Sequence, residues 1–219
     1  MKVCFIAGTL GRGGAERQLV YMLRALKQLG IGTRVICLNR REAFEGVIRD
    51  LGIDVEWIGA SKSRMVRMMA IINNLRKQPA DILQSAHFYT NIYAGVTGRL
   101  LGIPSIGAIR NDLISEIAAN GIFGKWQLKI PARLVANSGL AVSRAERMGI
   151  EPWRLHFIQN VVEAENTNDR PPSIEDKHLH ILFVGRLVSQ KNPELFVRLA
   201  ARLARDFADR RLTFEIAGD

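Results

Sequence analysis

The sequence predicts an α/β fold: a Rossmann-like parallel sheet with helices on both faces, followed by the first strand–helix–strand unit of a second such domain. Three observations predict it. Apolar runs of strand length alternate with amphipathic stretches of helix length almost without interruption. Glycines stand where helices should close, at Gly30, Gly52 and Gly102. Near residue 163 the composition turns polar and proline-rich, and a strand pattern then restarts.

The first strand is read over Met1 to Ala7, with Val3, Cys4, Phe5 and Ile6 as its apolar run. The helix after it, Ala15 to Leu29, has Leu19, Met22, Leu23, Leu26 and Leu29 at helical spacing. Between them lies Gly8-Thr9-Leu10-Gly11-Arg12-Gly13-Gly14. Four glycines leave backbone N–H groups uncovered, and the helix start adds the positive end of a dipole, which suits a phosphate. A tight turn that needs glycine only for its backbone angles is the alternative. The third glycine of a dinucleotide fingerprint is missing, and no Gly-Lys-Ser/Thr of a P-loop follows.

Further strands are read at 33–38, 55–58, 81–84, 103–108, 133–136 and 155–158. Helices are read at 42–51, 63–77, 89–101, 113–119, 125–130 and 139–148. The first domain therefore spans 1–162. Residues 163–178 read as a linker and 179–219 as an incomplete second domain: strand 180–184, turn 185–192, helix 193–207, strand 212–217. Pro193 suits a first helical turn, where its missing N–H costs nothing.

Composition narrows the class. The 219 residues are 47% hydrophobic and 24% charged, ordinary for a globular protein. No signal-peptide pattern and no apolar run of membrane-spanning length stand out, so a cytoplasmic protein is expected. Cys4 and Cys37 lie in apolar strands and read as buried, reduced thiols. The net charge of +10 belongs wholly to residues 1–160, with 22 Lys and Arg against 11 Asp and Glu. That asymmetry fits an anionic partner or plain solubility. The segment Lys62 to Ile72 joins cations to an apolar stripe, so peripheral association with an anionic membrane stands beside ordinary core packing. No nucleic-acid signature is present, and no metal-ligand spacing is seen.

The second glycine-led turn, Gly185-Arg186-Leu187-Val188-Ser189-Gln190-Lys191-Asn192, puts Arg186 and Lys191 in a loop before a helix start. Two cations there suit a diphosphate, Arg as a fork and Lys as a point charge. At the earlier strand ends stand His87, which could face a ligand or simply pack, and Arg110, Asn111 and Asp112. These three are acceptor or cleft candidates by their place at a parallel-sheet edge. Asp112 also reads as a helix cap, the preferred reading.

Several segments, in order, resemble glycosyltransferase family 4, enzymes of the two-domain GT-B fold. They are Gly13-Gly14-Ala15-Glu16, Pro79-Ala80-Asp81-Ile82, Ala136-Asn137-Ser138, Phe157-Ile158-Gln159-Asn160-Val161, Phe183-Val184-Gly185-Arg186-Leu187 with Gln190-Lys191-Asn192-Pro193, and Ile216-Ala217-Gly218-Asp219. The resemblance implies a retaining transferase that moves a sugar from a nucleotide-sugar donor to a saccharide or lipid-linked acceptor, without a metal cofactor. It implies that Arg186 and Lys191 clamp the donor diphosphate, that Gly13 and Gly14 approach it, and that His87 takes the catalytic position near the reacting carbon. Gln84 stands where the family often has a first histidine, and Asn160-Val161 replaces its usual Asn-Gly. The family's E-x7-E segment, which reads the donor sugar and ribose, would lie beyond residue 219, so the chain by itself is expected not to turn over. A UDP-sugar 2-epimerase, which shares the fold, and a non-catalytic acceptor- or partner-binding module are the alternatives.

Overall fold

The computed structural model describes residues 1–163 and 178–218. They fall into two compact units, Met1–Glu163 and the part of Ala164–Asp219 that is described. The linker read at 163–178 lies, apart from its two ends, outside the described residues.

The first unit alternates strands and helices: β1 (Lys2–Ala7), α1 (Gly14–Gln28), β2 (Gly32–Cys37), α2 (Ala43–Asp50), β3 (Asp54–Trp57), α3 (Arg64–Lys77) and β4 (Ile82–Ser85). After a short 3-10 turn come α4 (Asn91–Leu101), β5 (Ser105–Ile109), α5 (Leu113–Ala119), a second 3-10 turn (Gly121–Phe123), α6 (Gly124–Lys129), β6 (Arg133–Ala136), α7 (Gly139–Arg147) and β7 (Leu155–Phe157). The seven strands pair in parallel in the order β3-β2-β1-β4-β5-β6-β7. All loops that follow a strand therefore open on one edge of the sheet, where an α/β fold collects ligands.

Strand alternation assigns the helices to faces. Val3, Phe5 and Ala7 pack with Val35, Cys37 and the α1 and α2 residues Leu19, Leu23 and Ile48. Cys4 and Ile6 pack on the opposite side with Leu83 and the α3 and α4 residues Ile71, Leu75 and Ala94. Register carries that side onward, since Leu83 pairs with Ser105, Gly107 with Leu134 and Ile109 with Ala136. There α5, α6 and α7 bury Leu113, Leu128 and Ala145 against Ile109, Leu134 and Ala136. So α1 and α2 cover one face and α3 to α7 the other. Both cysteines are fully buried and unpaired. Burial raises the Cys4 thiol to about 11 and the Cys37 thiol to about 12, so neither ionises at neutral pH.

The second unit has β8 (His178–Val184), α8 (Pro193–Asp206) and β9 (Arg211–Ala217), with the two strands parallel. Phe196 of α8 packs its ring against Phe183 and Phe214.

Candidate functional site

The loop after β1 is held from a distance. The Gly8 N–H donates to His87 Nδ1 (3.2 Å), which leaves the ring proton on Nε2, 3.1 Å from Glu16 Oε1. His87 and Glu16 are both buried. Glu42, the residue before α2, accepts from the Leu10 N–H and from Thr9 Oγ1 (2.7 Å), and Thr9 Oγ1 in turn accepts from the Gly11 N–H (3.1 Å). Tyr89 lies across Gly8 so closely that a Cβ there would fall 1.9 Å from its hydroxyl. Glycine at that position is fixed by close approach. At Gly13 a Cβ would meet Glu16 Oε2 at 2.2 Å, whereas one at Gly14 would meet nothing within 4 Å. Gly13 thus makes room for the Glu16 carboxylate, and Gly14 leaves open space above the helix start.

Gly13 is the N-cap of α1 and supplies no side-chain cap to its first turn. Beside that turn is an open depression of about 540 Å³ lined by Arg12, Gly13, Gly14, Arg17, Ala43 and Phe44. Among the described residues, neither Arg12 nor Arg17 has a carboxylate at ion-pair distance. Uncapped donors, a dipole end and two unpaired guanidinium groups together favour an anion.

The other strand ends differ in how far they are committed. Asp112 caps α5, accepting from the Ser115 N–H and hydroxyl (both 3.0 Å), and it also pairs with Arg144. The Ser115 bonds, helped by Arg144, hold its carboxyl below the ordinary aspartate value. Asn111 donates to Glu116 Oε1 (2.5 Å). Both residues therefore serve the start of α5, and the cap reading of Asp112 is the observed one. Arg110 is different. Its Nε is buried without a partner, and burial lowers its pKa from the ordinary arginine value. Gln84, on the α1 side of the sheet, sits 3.4 Å from Met22 Sδ.

In the second unit, the Gly185 N–H donates to the Ala217 carbonyl, so the loop begins level with the end of β9. Arg186 and Lys191 are exposed, and among the described residues neither has a carboxylate at ion-pair distance, which suits an incoming anion. Asn192 adopts φ 51° and caps α8, its side chain accepting from the Leu195 N–H at 3.2 Å. A Cβ at Gly218 would fall 1.8 Å from the Gly185 carbonyl oxygen, so the two strand ends need glycine to lie side by side. Among the described residues, no group of three or more His, Cys, Asp or Glu side chains is placed to hold a metal.

The sequence reading did not assign Glu42 and Tyr89 to this loop, and it gave Glu16 no partner. Glu42 lies 32 residues from Leu10, and Glu16 lies 71 from His87, so local pattern carried no signal of either contact.

Comparison with known proteins follows the same lines. The model of Glycosyltransferase Family 4 matches residues 12–166. A curated relative from Campylobacter jejuni subsp. jejuni serotype O:2 is the GalNAc-alpha-(1->4)-GalNAc-alpha-(1->3)-diNAcBac-PP-undecaprenol alpha-1,4-N-acetyl-D-galactosaminyltransferase. It is 25% identical over 233 residues, an alignment that spans all of this chain and 62% of the relative. Among solved structures, the lipopolysaccharide outer core galactosyltransferase WaaB superposes with a TM-score of 0.71 at 18% identity, over 99% of this chain and 60% of that one. Anabaena HepE in complex with UDP and glucose superposes with a TM-score of 0.66 at 13% identity, over 99% and 69%. These likenesses show the Rossmann-like fold of GT-B glycosyltransferases, and the chain spans about three fifths of the length of the first two. On the family match, which covers most of the first unit and well over half of the chain, the protein belongs to glycosyltransferase family 4.

Proposed function

We propose that the protein is a retaining glycosyltransferase that moves a sugar from a nucleotide-sugar donor to a saccharide or lipid-linked acceptor, in the assembly of a polysaccharide or glycolipid. The observation that carries this reading is a family match over a chain with two glycine-led loops, each between a parallel strand and a helix start. The curated relative acts on an undecaprenol-linked glycan, and WaaB on the lipopolysaccharide outer core, which supports the acceptor class.

In this reading Arg186 and Lys191 neutralise the donor diphosphate, and the backbone N–H groups at Gly13 and Gly14 approach it. Negative charge grows on the diphosphate as the glycosidic bond breaks, so cations and fixed N–H dipoles lower the barrier. These protein cations take the role a metal would otherwise fill, and a chelator should leave the rate unchanged. His87 acts as a positioning residue, because both of its ring nitrogens are engaged by Gly8 and Glu16. Arg110 keeps its buried donor for the acceptor side.

The test is the glycan itself. Disruption of the coding sequence should leave a lipid-linked or surface glycan one sugar short, as read by mass spectrometry. Complementation with a copy carrying Arg186→Ala and Lys191→Ala should fail to restore it. An intact glycan core accompanied by loss of one epimer from the nucleotide-sugar pool would instead identify an epimerase.

A further inference from the structure

The edge of the first sheet where the strands begin holds residues that neither the core nor the proposed transfer uses. There Gly98 lets α4 come down on the start of β5, since a Cβ on it would fall 2.5 Å from the Ile103 carbonyl oxygen. Ser105 Oγ accepts from the Ala132 N–H at 3.1 Å and ties the starts of β5 and β6 together. Beside them lies an open depression of about 470 Å³, within the size range of small-ligand sites. Pro104, Ile130 and Pro131 give it an apolar lining, and the two prolines bring no N–H that would need a partner.

A third 3-10 turn, Pro152–Arg154, places Trp153 at the rim, 57% exposed. The Arg133 guanidinium lies 4.3 Å from the centre of that indole ring. Stacking of this kind fixes a guanidinium and leaves its in-plane N–H groups free to meet an anion. Of these, Nη1 donates to the Ala132 carbonyl at 3.2 Å. Arg154 donates to the carbonyls of Lys129 (2.9 Å) and Pro131, which anchors the turn that carries Trp153. Arg99 reaches the Lys129 carbonyl at 3.4 Å. Three arginines and one carboxylate, Glu151, thus line the depression. Among the described residues none of the three arginines has a carboxylate at ion-pair distance.

We propose that this depression binds a nucleoside phosphate, with the base stacked on Trp153 and the phosphate on Arg99 and Arg133. The chemistry calls for both halves of that ligand. A bare phosphate would leave the exposed indole and the apolar lining unused, and a neutral aromatic molecule would leave the arginines unmatched. A flat base has a face for the indole, and a phosphate accepts the forked donors of a guanidinium. The depression opens on the edge opposite the loops that follow the strands, so the bound nucleotide is an effector and not the donor of the proposed transfer.

The test is tryptophan fluorescence, which a base stacked on an indole quenches. The full chain, and the same chain carrying Arg186→Ala and Lys191→Ala, are titrated with AMP, GMP, CMP and UMP. At least one of them should quench both proteins alike. Trp153→Leu should abolish the quenching with the circular dichroism spectrum unchanged. Arg133→Gln should weaken binding about tenfold, the scale of one charge-assisted contact. Arg76→Gln on α3, the same charge change elsewhere, should not. The matching nucleoside, which lacks the phosphate, should also bind about tenfold more weakly or worse. Absence of quenching, quenching that survives Trp153→Leu, quenching lost with Arg186 and Lys191, or equal binding of nucleoside and nucleotide would overturn the proposal.

Discussion

The two glycine-led loops start from the same design and end in opposite states. The loop after β1 is fixed by side chains from far away: His87 on the Gly8 N–H, Glu42 on Leu10 and Thr9, and Tyr89 over Gly8. Past Gly185, whose N–H donates to the Ala217 carbonyl, the backbone bonds described for the loop after β8 are local. Val188 donates to Arg186, Lys191 to Val188 and Asn192 to Ser189, all through the backbone, and none of residues 185–192 is buried. The first loop offers backbone donors in a set geometry. The second offers two long cations that can adjust. Preorganised dipoles and mobile charges make different contributions to holding a diphosphate, and substitutions should separate them.

The strongest break should come from the first loop's support. His87→Ala leaves the buried Gly8 N–H without its acceptor and removes a partner of the buried Glu16 carboxylate. A loss of about 1–3 kcal/mol in stability is expected, the cost of a stranded buried polar group. Urea denaturation of the chain measures it, and a midpoint equal to that of the parent would show that the network does not hold the loop. His87→Asn is the sharper probe, since an amide can replace one of the two contacts and should recover part of the loss.

The second loop should respond more weakly and locally. Asn192→Ala removes the α8 cap and puts a residue ill suited to φ 51° there. The cap alone is worth about 1 kcal/mol. Asn192→Gly should cost less, because glycine keeps the left-handed backbone. Thermal melts of the three proteins would order them, and an Ala variant as stable as the parent would contradict the capping account.

The smallest effect is electrostatic. The carboxyl of Asp112 is held below its ordinary value by Ser115 first, with help from Arg144. Its contribution to stability is therefore full above the unfolded aspartate value and lost as pH falls through the lower, folded one. The stability gap between the parent and Asp112→Asn should be present at neutral pH and close in acid. A gap that stays constant down to about pH 3, below the ordinary aspartate value, would mean that shape and not charge makes the cap.

Most of the fold was legible because its signals are local. Apolar spacing marked each strand and helix, and Gly30, Gly52 and Gly102, all at positive φ, marked helix ends. Asp112 as a cap followed from its place just before Leu113, and the structure places it there. The candidate site was legible only in part. Gly13, Gly14, Arg186 and Lys191 could be named from loop chemistry, but the state of His87 could not. Whether its ring faces a ligand or the protein depends on Gly8 and Glu16, each more than 70 residues away in sequence. The same holds for Met65, Val66 and Met69, which lie exposed at the start of α3. The cations and apolar residues of 62–72 were visible, but not that Phe123 lies beneath Arg64.

Titration calorimetry with nucleoside diphosphates tests most directly the proposed role of Arg186 and Lys191 as a diphosphate clamp. The parent chain should bind at least one of them. Arg186→Ala with Lys191→Ala should weaken that binding about tenfold or more, on the scale of a lost charge-assisted contact per cation. Binding indifferent to both cations, or none to any nucleoside diphosphate, would contradict the account.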